Sequence, residues 1–282
     1  MRFTKMQGCG NDYIYVNCFE ENLSNKNLSE LQNIAKKISN RNFGIGSDGM
    51  ILIEPAKNKN ADCFMHMFNN DGSEGKMCGN GIRCVAKYIY DNGIIPPSRT
   101  KTIIETPAGL REIELEIHNK KVTSATVSMG IAEITSQIPE KILINGMNLE
   151  FLGVNMGNPH AVYFLDKNEI LGELKNIDLE KIGKYFENHE RFPERVNSEF
   201  VKKISDYELD FRVWERGSGE TLACGTGATA SVFAGVILGK FPRNETITVH
   251  LLGGDLRIKI LDNNECLMTG EAVEVFRGEI SI

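Results

Sequence analysis

The sequence predicts an α+β fold built from two halves with the same organisation, and three observations carry that prediction. Two Cys-Gly-x-Gly strings, Cys78-Gly79-Asn80-Gly81 and Cys224-Gly225-Thr226-Gly227, each open an apolar run. Each string is reached through a strand and a Gly-Ser pair, Gly72-Ser73 in one half and Gly217-Ser218 in the other. Strand-like runs flank both strings, and many strands with few helices mark the α+β class. At 282 residues the chain also exceeds one ordinary core, which points to two domains.

In chain order, Arg2–Met6 and Tyr13–Val16 read as strands joined by the turn Gly8-Cys9-Gly10-Asn11-Asp12. A helix starts at Ser29, capped by its hydroxyl, and runs through Leu31, Ile34, Ala35 and Ile38. Gly44-Ile45-Gly46-Ser47-Asp48-Gly49 matches G-x-G-x-x-G, but a dinucleotide loop must follow a strand and open a helix. Here a helix precedes and the strand Met50–Ile53 follows, so the string is a tight turn. Ala61–Phe68 alternates, with Cys63, Met65 and Met67 on one side and Phe64, His66 and Phe68 on the other. His66 receives no functional role. The helix after Cys78 ends near Asp91-Asn92-Gly93, with Pro96-Pro97 beyond it. Thr102–Glu105, Leu110–Ile117 and Lys121–Met129 follow as strands.

The second half replays this order. Asn148–Asn155 and Ala161–Leu165 are strands around Met156-Gly157-Asn158-Pro159-His160, a helix covers 178–186, and Asn197–Ile204 and Tyr207–Trp214 lead to Cys224. Thr246–Leu251, Leu256–Leu261, Cys266–Thr269 and Val273–Ile280 finish the chain as strands.

Composition excludes several function classes. A net charge of −6 argues against a nucleic-acid surface. No apolar run reaches the ~20 residues of a membrane span, and Met1-Arg2-Phe3-Thr4-Lys5 does not open a signal peptide. Seven cysteines without regular spacing imply free thiols in a reducing, cytoplasmic compartment. There is no P-loop, no C-x-x-C and no H-E-x-x-H, so no zinc or other metal site is expected.

A single cysteine before Gly-x-Gly is explained by packing. Two of them, each at a helix start, suggest chemistry. The positive end of the helix dipole favours thiolate and lowers the thiol pKa. Bare N–H groups near Gly79, Asn80, Gly225 and Thr226 are ready for an anion. Two thiols on either side of one carbon suit inversion of a C–H stereocentre, where one base removes a proton and a second acid returns it to the other face. Asn11, Asn69, Asn158, Asn197 and the pair Glu215-Arg216 each lie near a strand end, where turn chemistry alone also explains an Asn.

Taken together, Gly44–Gly49, Phe68–Ser73, Cys78–Cys84, Gly157–His160, Glu215–Thr221 and Ala223–Gly227 resemble the diaminopimelate epimerase family across nearly the whole chain, down to Met268-Thr269-Gly270. The resemblance implies cofactor-independent interconversion of LL- and meso-diaminopimelate, in lysine and peptidoglycan-precursor synthesis. It implies Cys78 and Cys224 as the acid/base pair. Backbone N–H groups of Gly79, Asn80, Gly225 and Thr226 would bind the reacting carboxylate. Asn11, Asn69, Asn158, Asn197, Glu215 and Arg216 would hold the remaining amino and carboxylate groups, with His160 close by.

The implied fold is two pseudo-symmetric domains, each a barrel-like, mostly antiparallel sheet around a central helix. One would comprise residues 1–118 with 269–282 and the other 119–268, with the active site in the cleft between them. A homodimer is also implied. Gly49 replaces a substrate-contacting Gln found in some members and Glu271 a common Pro; no binding role is expected of Gly49. Proline racemase and hydroxyproline epimerase also pair cysteines, but they have no distal amino acid group to hold, which Arg216 and the Asn set would serve. A thiol switch or metal-binding protein would need only the cysteines and leaves the paired Gly-x-Gly unexplained.

Overall fold

The computed structural model describes residues 1–23 and 25–282. The chain forms two compact units, Met1–Val127 with Gly270–Ile282, and Ser128–Thr269. The first boundary falls at 127/128 rather than 118/119. The reason is local: residues 121–127 stay paired antiparallel with Gly109–His118 through Ile113 opposite Val127. The second falls at 269/270, one residue beyond the expected position.

In the first unit six strands form one ladder. Arg2–Gly8 pairs antiparallel with Asn11–Asn17, which runs parallel to Gly49–Glu54. Gly49–Glu54 pairs antiparallel with Cys63–Asn69, which runs parallel to Lys101–Thr106, and Gly109–His118 follows antiparallel. The last strand of the chain, Val273–Glu279, adds to Arg2–Gly8.

Parallel neighbours require crossovers. Two helices supply them, α1 (Leu28–Ser39) and α2 (Gly79–Asp91). Helix α2 packs on Arg2–Gly8 and Asn11–Asn17 at one end of the ladder and on Lys101–Thr106 and Gly109–His118 at the other, so the sheet curls around it. Gly81 lets it approach: a Cβ there would lie 2.8 Å from Ile51 Cδ1 and 3.1 Å from Met65 Cε. Helix α1 covers the outer face, where Leu31, Ala35 and Ile38 pack with Met50, Leu52 and Phe68. The strand Gly49–Glu54 is therefore buried on both faces, and its sequence reads as a continuous apolar run. The cap of α1 differs from the expected Ser29. Asn27 accepts the Glu30 N–H while Glu30 returns a bond to the Asn27 N–H, a reciprocal capping box two residues earlier.

The second unit repeats the ladder step for step. Met147–Asn155, Pro159–Phe164, Asn197–Ser205, Glu208–Glu215, Thr246–Leu251 and Gly254–Ile260 pair in the same alternation of antiparallel and parallel. The crossovers are α3 (Leu179–Glu187), outside, and α4 (Gly225–Ile237), inside. Helix α4 again touches both ends of its ladder, Met147–Asn155 and Gly254–Ile260. Outside, Phe186 packs with Tyr163, Phe200 and Trp214. Gly183 makes room for Trp214, whose ring would lie 2.1 Å from a Cβ at that position. No helix among the described residues is long and apolar enough to cross a membrane.

Candidate active site

Each inner helix begins on a cysteine. In the first unit the hairpin of Cys63–Asn69 with Glu74–Gly75 delivers the chain to Cys78. Cys78 is the N-cap of α2, in extended conformation, and its sulfur accepts the Gly81 N–H at 3.4 Å. In the second unit Glu208–Glu215 pairs with Gly219–Glu220 and leads to Cys224. Cys224 caps α4 in the same conformation and accepts the Gly227 N–H, also at 3.4 Å. The intrahelical ladders start at Ile82 N–H to Cys78 O and Ala228 N–H to Cys224 O. The N–H groups of Gly79, Asn80, Gly225 and Thr226 thus have no partner in their own helix.

Around Cys78 the polar residues form a chain. The thiol donates to Asn11 Oδ1 at 3.3 Å, and Asn11 Nδ2 donates to Asp48 Oδ2 at 2.7 Å. Arg41 bridges Asp48 at 2.8 Å and Asp12 at 2.7 Å, and Lys5 reaches Asp12 at 2.5 Å. Arg83, on α2, is fully buried and donates to Gly79 O at 3.1 Å, Asn80 Oδ1 at 3.0 Å and Glu271 O at 3.3 Å. Gly8 leaves it space, since a Cβ there would be 3.0 Å from Arg83 Nη2. Asn69 holds the hairpin turn through Ser73 Oγ at 2.9 Å.

Around Cys224 the pattern differs. Asn158 Nδ2 donates to Thr226 Oγ1 at 3.3 Å, and its Oδ1 faces His160 Nε2 at 2.9 Å. The other ring nitrogen of His160 lies 2.6 Å from Glu199 Oε1, and both side chains are fully buried. Asn197 donates to Pro159 O at 3.0 Å and accepts the Arg216 N–H at 2.9 Å, which fixes the turn carrying Glu215 and Arg216. Glu187 steadies that turn from below, accepting from Gly217 N–H and Trp214 Nε1 at 2.9 Å each. Thr221 donates to Glu215 Oε1 at 2.5 Å.

The expectation of thiols with lowered pKa is not met in this structure. Burial raises Cys78, against the pull of the Gly81 and Asn80 N–H groups, Arg83 and Tyr13. Burial also raises Cys224, well above the usual range, and the Glu215 and Glu199 carboxylates add to it. Desolvation of the thiolate outweighs the helix dipole at both caps.

The structure brings Cys78, Asn11 and Asn80 together in one unit, and Cys224, Thr226, Asn158 and His160 in the other. Asn197 holds the turn that carries Glu215 and Arg216, while Asn69 stands at its own hairpin. Sequence reasoning missed Asp48, Tyr13, Arg41, Arg83 and Glu199. A charge inside an apolar helical run, as at Arg83, and one at an inward strand position, as at Glu199, are signals that would have found those two. Gly49 has no room for any side chain: a Cβ would sit 2.1 Å from Phe68 O and 2.9 Å from the Tyr13 ring.

The family model for diaminopimelate epimerase matches residues 3–135 and 152–275. The chain belongs to the diaminopimelate epimerase family. Proteins named diaminopimelate epimerase from Bacillus cytotoxicus and Bacillus anthracis are each 47% identical to it, over 98% of this chain and 96% of theirs. Among solved structures, a probable proline racemase from Agrobacterium radiobacter superposes with a TM-score of 0.73 at 14% identity, covering 100% of this chain and 93% of that one. A hydroxyproline epimerase from Agrobacterium vitis gives 0.72 at 16% identity, covering 99% and 91%. At such low identity these two show the shared α+β fold, with its repeated halves, and no more. The family places this chain among epimerases, which are isomerases.

Proposed function

We propose that this protein interconverts LL- and meso-diaminopimelate with Cys78 and Cys224 as its two acid/base groups. The supporting observation is the repeated cap: in each unit a cysteine sulfur takes the N–H three residues on, at the start of the helix that the sheet surrounds. One thiolate removes the α-proton, the electron pair spreads into the adjacent carboxylate, and the other thiol gives its proton to the opposite face. Afterwards the first group is a thiol and the second a thiolate, so the reverse reaction exchanges their roles. The reaction requires both thiols to reach one carbon.

The remaining helix-start N–H groups, of Gly79, Asn80, Gly225 and Thr226, suit the carboxylate that takes up charge. Arg216 suits the distal carboxylate, because a guanidinium meets it with two parallel N–H bonds. Asn11, Asn69, Asn158, Asn197 and Glu215 supply acceptors for the ammonium groups, with His160 orienting Asn158. The proposal includes a cytoplasmic location, consistent with seven free cysteines, and a homodimer, which sedimentation would test. The direct test is incubation with LL-diaminopimelate in deuterated water. Deuterium at one α-carbon together with appearance of the meso isomer supports the reading; absence of both sinks it.

A further inference from the structure

The second thiol has a buried carboxylate behind it that the reaction, as written above, does not use. Glu199 lies on Asn197–Ser205, beside the start of α4, and is fully buried. The space over Gly227 measures its proximity: a Cβ there would be 2.7 Å from Glu199 Oε1 and 3.2 Å from Cys224 Sγ. Only a glycine lets the carboxyl and the sulfur share that space. Glu199 Oε1 takes His160 Nδ1, while Oε2 is buried without a hydrogen-bond partner among the described residues.

His160 itself stands between two acceptors, Glu199 Oε1 at 2.6 Å and Asn158 Oδ1 at 2.9 Å. In this structure Asn158 turns its amide nitrogen to Thr226 Oγ1 at 3.3 Å and its oxygen to His160. Two acceptors demand two protons: either the ring carries both, or the ring carries one and Glu199 the other. The pair therefore holds a proton and is neutral as a unit, and losing that proton leaves a buried carboxylate facing the sulfur. Three further polar groups bear on this corner. Glu215, on Glu208–Glu215, adds negative charge toward Cys224, Thr226 donates to or accepts from the sulfur at 3.5 Å, and the Tyr163 hydroxyl lies on the Glu199 side. Cys78 instead has the Arg83 cation and the neutral Asn11 and Tyr13 around it, and the Asp48 carboxylate behind Asn11 is paired with Arg41.

We propose that Glu199 is a positioning residue that keeps Cys224 the proton-bearing partner at rest, leaving Cys78 the thiol that ionises first. The proposal rests on Cys224 being an acid/base group of the reaction. Burial raises Glu199 to about 7, opposed by His160 and helped by Glu215. A thiolate at Cys224 and a carboxylate at Glu199 repel one another, and Cys224 ionises only at higher pH. Its own proton is thereby reserved for delivery.

The test reads each sulfur separately. Wild type and Glu199→Gln are pulsed with iodoacetamide across a pH series, and alkylation of Cys78 and Cys224 is quantified by peptide mass spectrometry. Gln keeps the volume and can donate to His160 while removing the charge. The expected result is that the Cys224 midpoint falls by about one pH unit or more in Glu199→Gln while that of Cys78 stays put. An unchanged Cys224 midpoint, or equal shifts at both thiols, overturns the proposal. Wild type alone gives a second check should the variant fail to fold: Cys78 is expected to titrate at lower pH than Cys224, and the reverse order overturns it. Alkylation needs no turnover. α-Proton exchange on the same samples reports the epimerase reading independently.

Discussion

The thiol of Cys78 donates to Asn11 Oδ1 at 3.3 Å, and Asn11 is in turn held by Asp48 at 2.7 Å. A neutral amide acceptor at this point orients the thiol and opposes a thiolate far less than a full negative charge would. Asn11→Asp places a carboxylate there instead, and the Cys78 pKa rises by roughly one to two units. The acid limb of the kcat/KM profile should move up accordingly. A profile identical to that of wild type would show that Asn11 does not govern this sulfur.

Arg216→Lys tests recognition of the far end of the substrate. The backbone of Arg216 is fixed by Asn197, and its guanidinium donates to Glu194 O at 3.0 Å. Lysine keeps the charge but loses the fork. KM for diaminopimelate should rise about tenfold, close to 1.4 kcal/mol, with kcat less affected. Unchanged kinetics would make Arg216 a structural residue of the turn.

Gly49→Ala should destabilise the fold by about 1–3 kcal/mol, because the added methyl drives into Phe68 O and the Tyr13 ring where the backbone must give way. Denaturant unfolding measures this directly. A neutral substitution would mean that the strand Gly49–Glu54 shifts freely, contrary to its burial on both faces.

Asp62 should make the first unit acid-sensitive. Burial acts to raise its pKa, but bonds from Ile103 N–H, Thr102 and Arg99 prevail and hold it below the usual carboxylate value. A lowered folded pKa stabilises above the unfolded value of about 3.9, and that contribution disappears as pH falls through the folded value. Asp62→Asn should therefore cost stability at pH 7 and much less near pH 2. An equal cost at both pH values would place the effect in packing.

Much of the fold was legible because its signals are local. The Gly-x-Gly after each cysteine and the apolar run behind it announced α2 and α4, and alternation announced Cys63–Asn69 and its partners. The start of α1 was misplaced because Ser29 and Asn27 are both good caps, and only Asn27 forms the reciprocal bond with Glu30. Glu140–Ile144 was missed because it is five residues long and draws its strand character from Met147–Asn155 beside it. The site divides the same way. Cysteines and glycines at helix starts carry their own signature. Asp48 meets Asn11 from 37 residues away, and Glu199 meets His160 from 39 residues away, so neither role shows in a local motif. Burial, which turned out to raise both thiols, is a property of the packed chain that no motif encodes.

The central claim is that two thiols work from opposite faces of one carbon, and single-cysteine variants test it most directly. Serine has far too high a pKa to act as the base. Cys78→Ser and Cys224→Ser should each lose epimerisation almost completely while each keeps one functional base. Offered the stereoisomers of a β-halogenated diaminopimelate, a lone base can still remove the α-proton as halide leaves, which yields an enamine and needs no return of a proton. The measurement is halide release from each α-stereoisomer by each variant. The account predicts complementary specificity, Cys78→Ser acting on one α-configuration and Cys224→Ser on the other. Release by both variants from the same configuration, or full epimerisation by either, would contradict it.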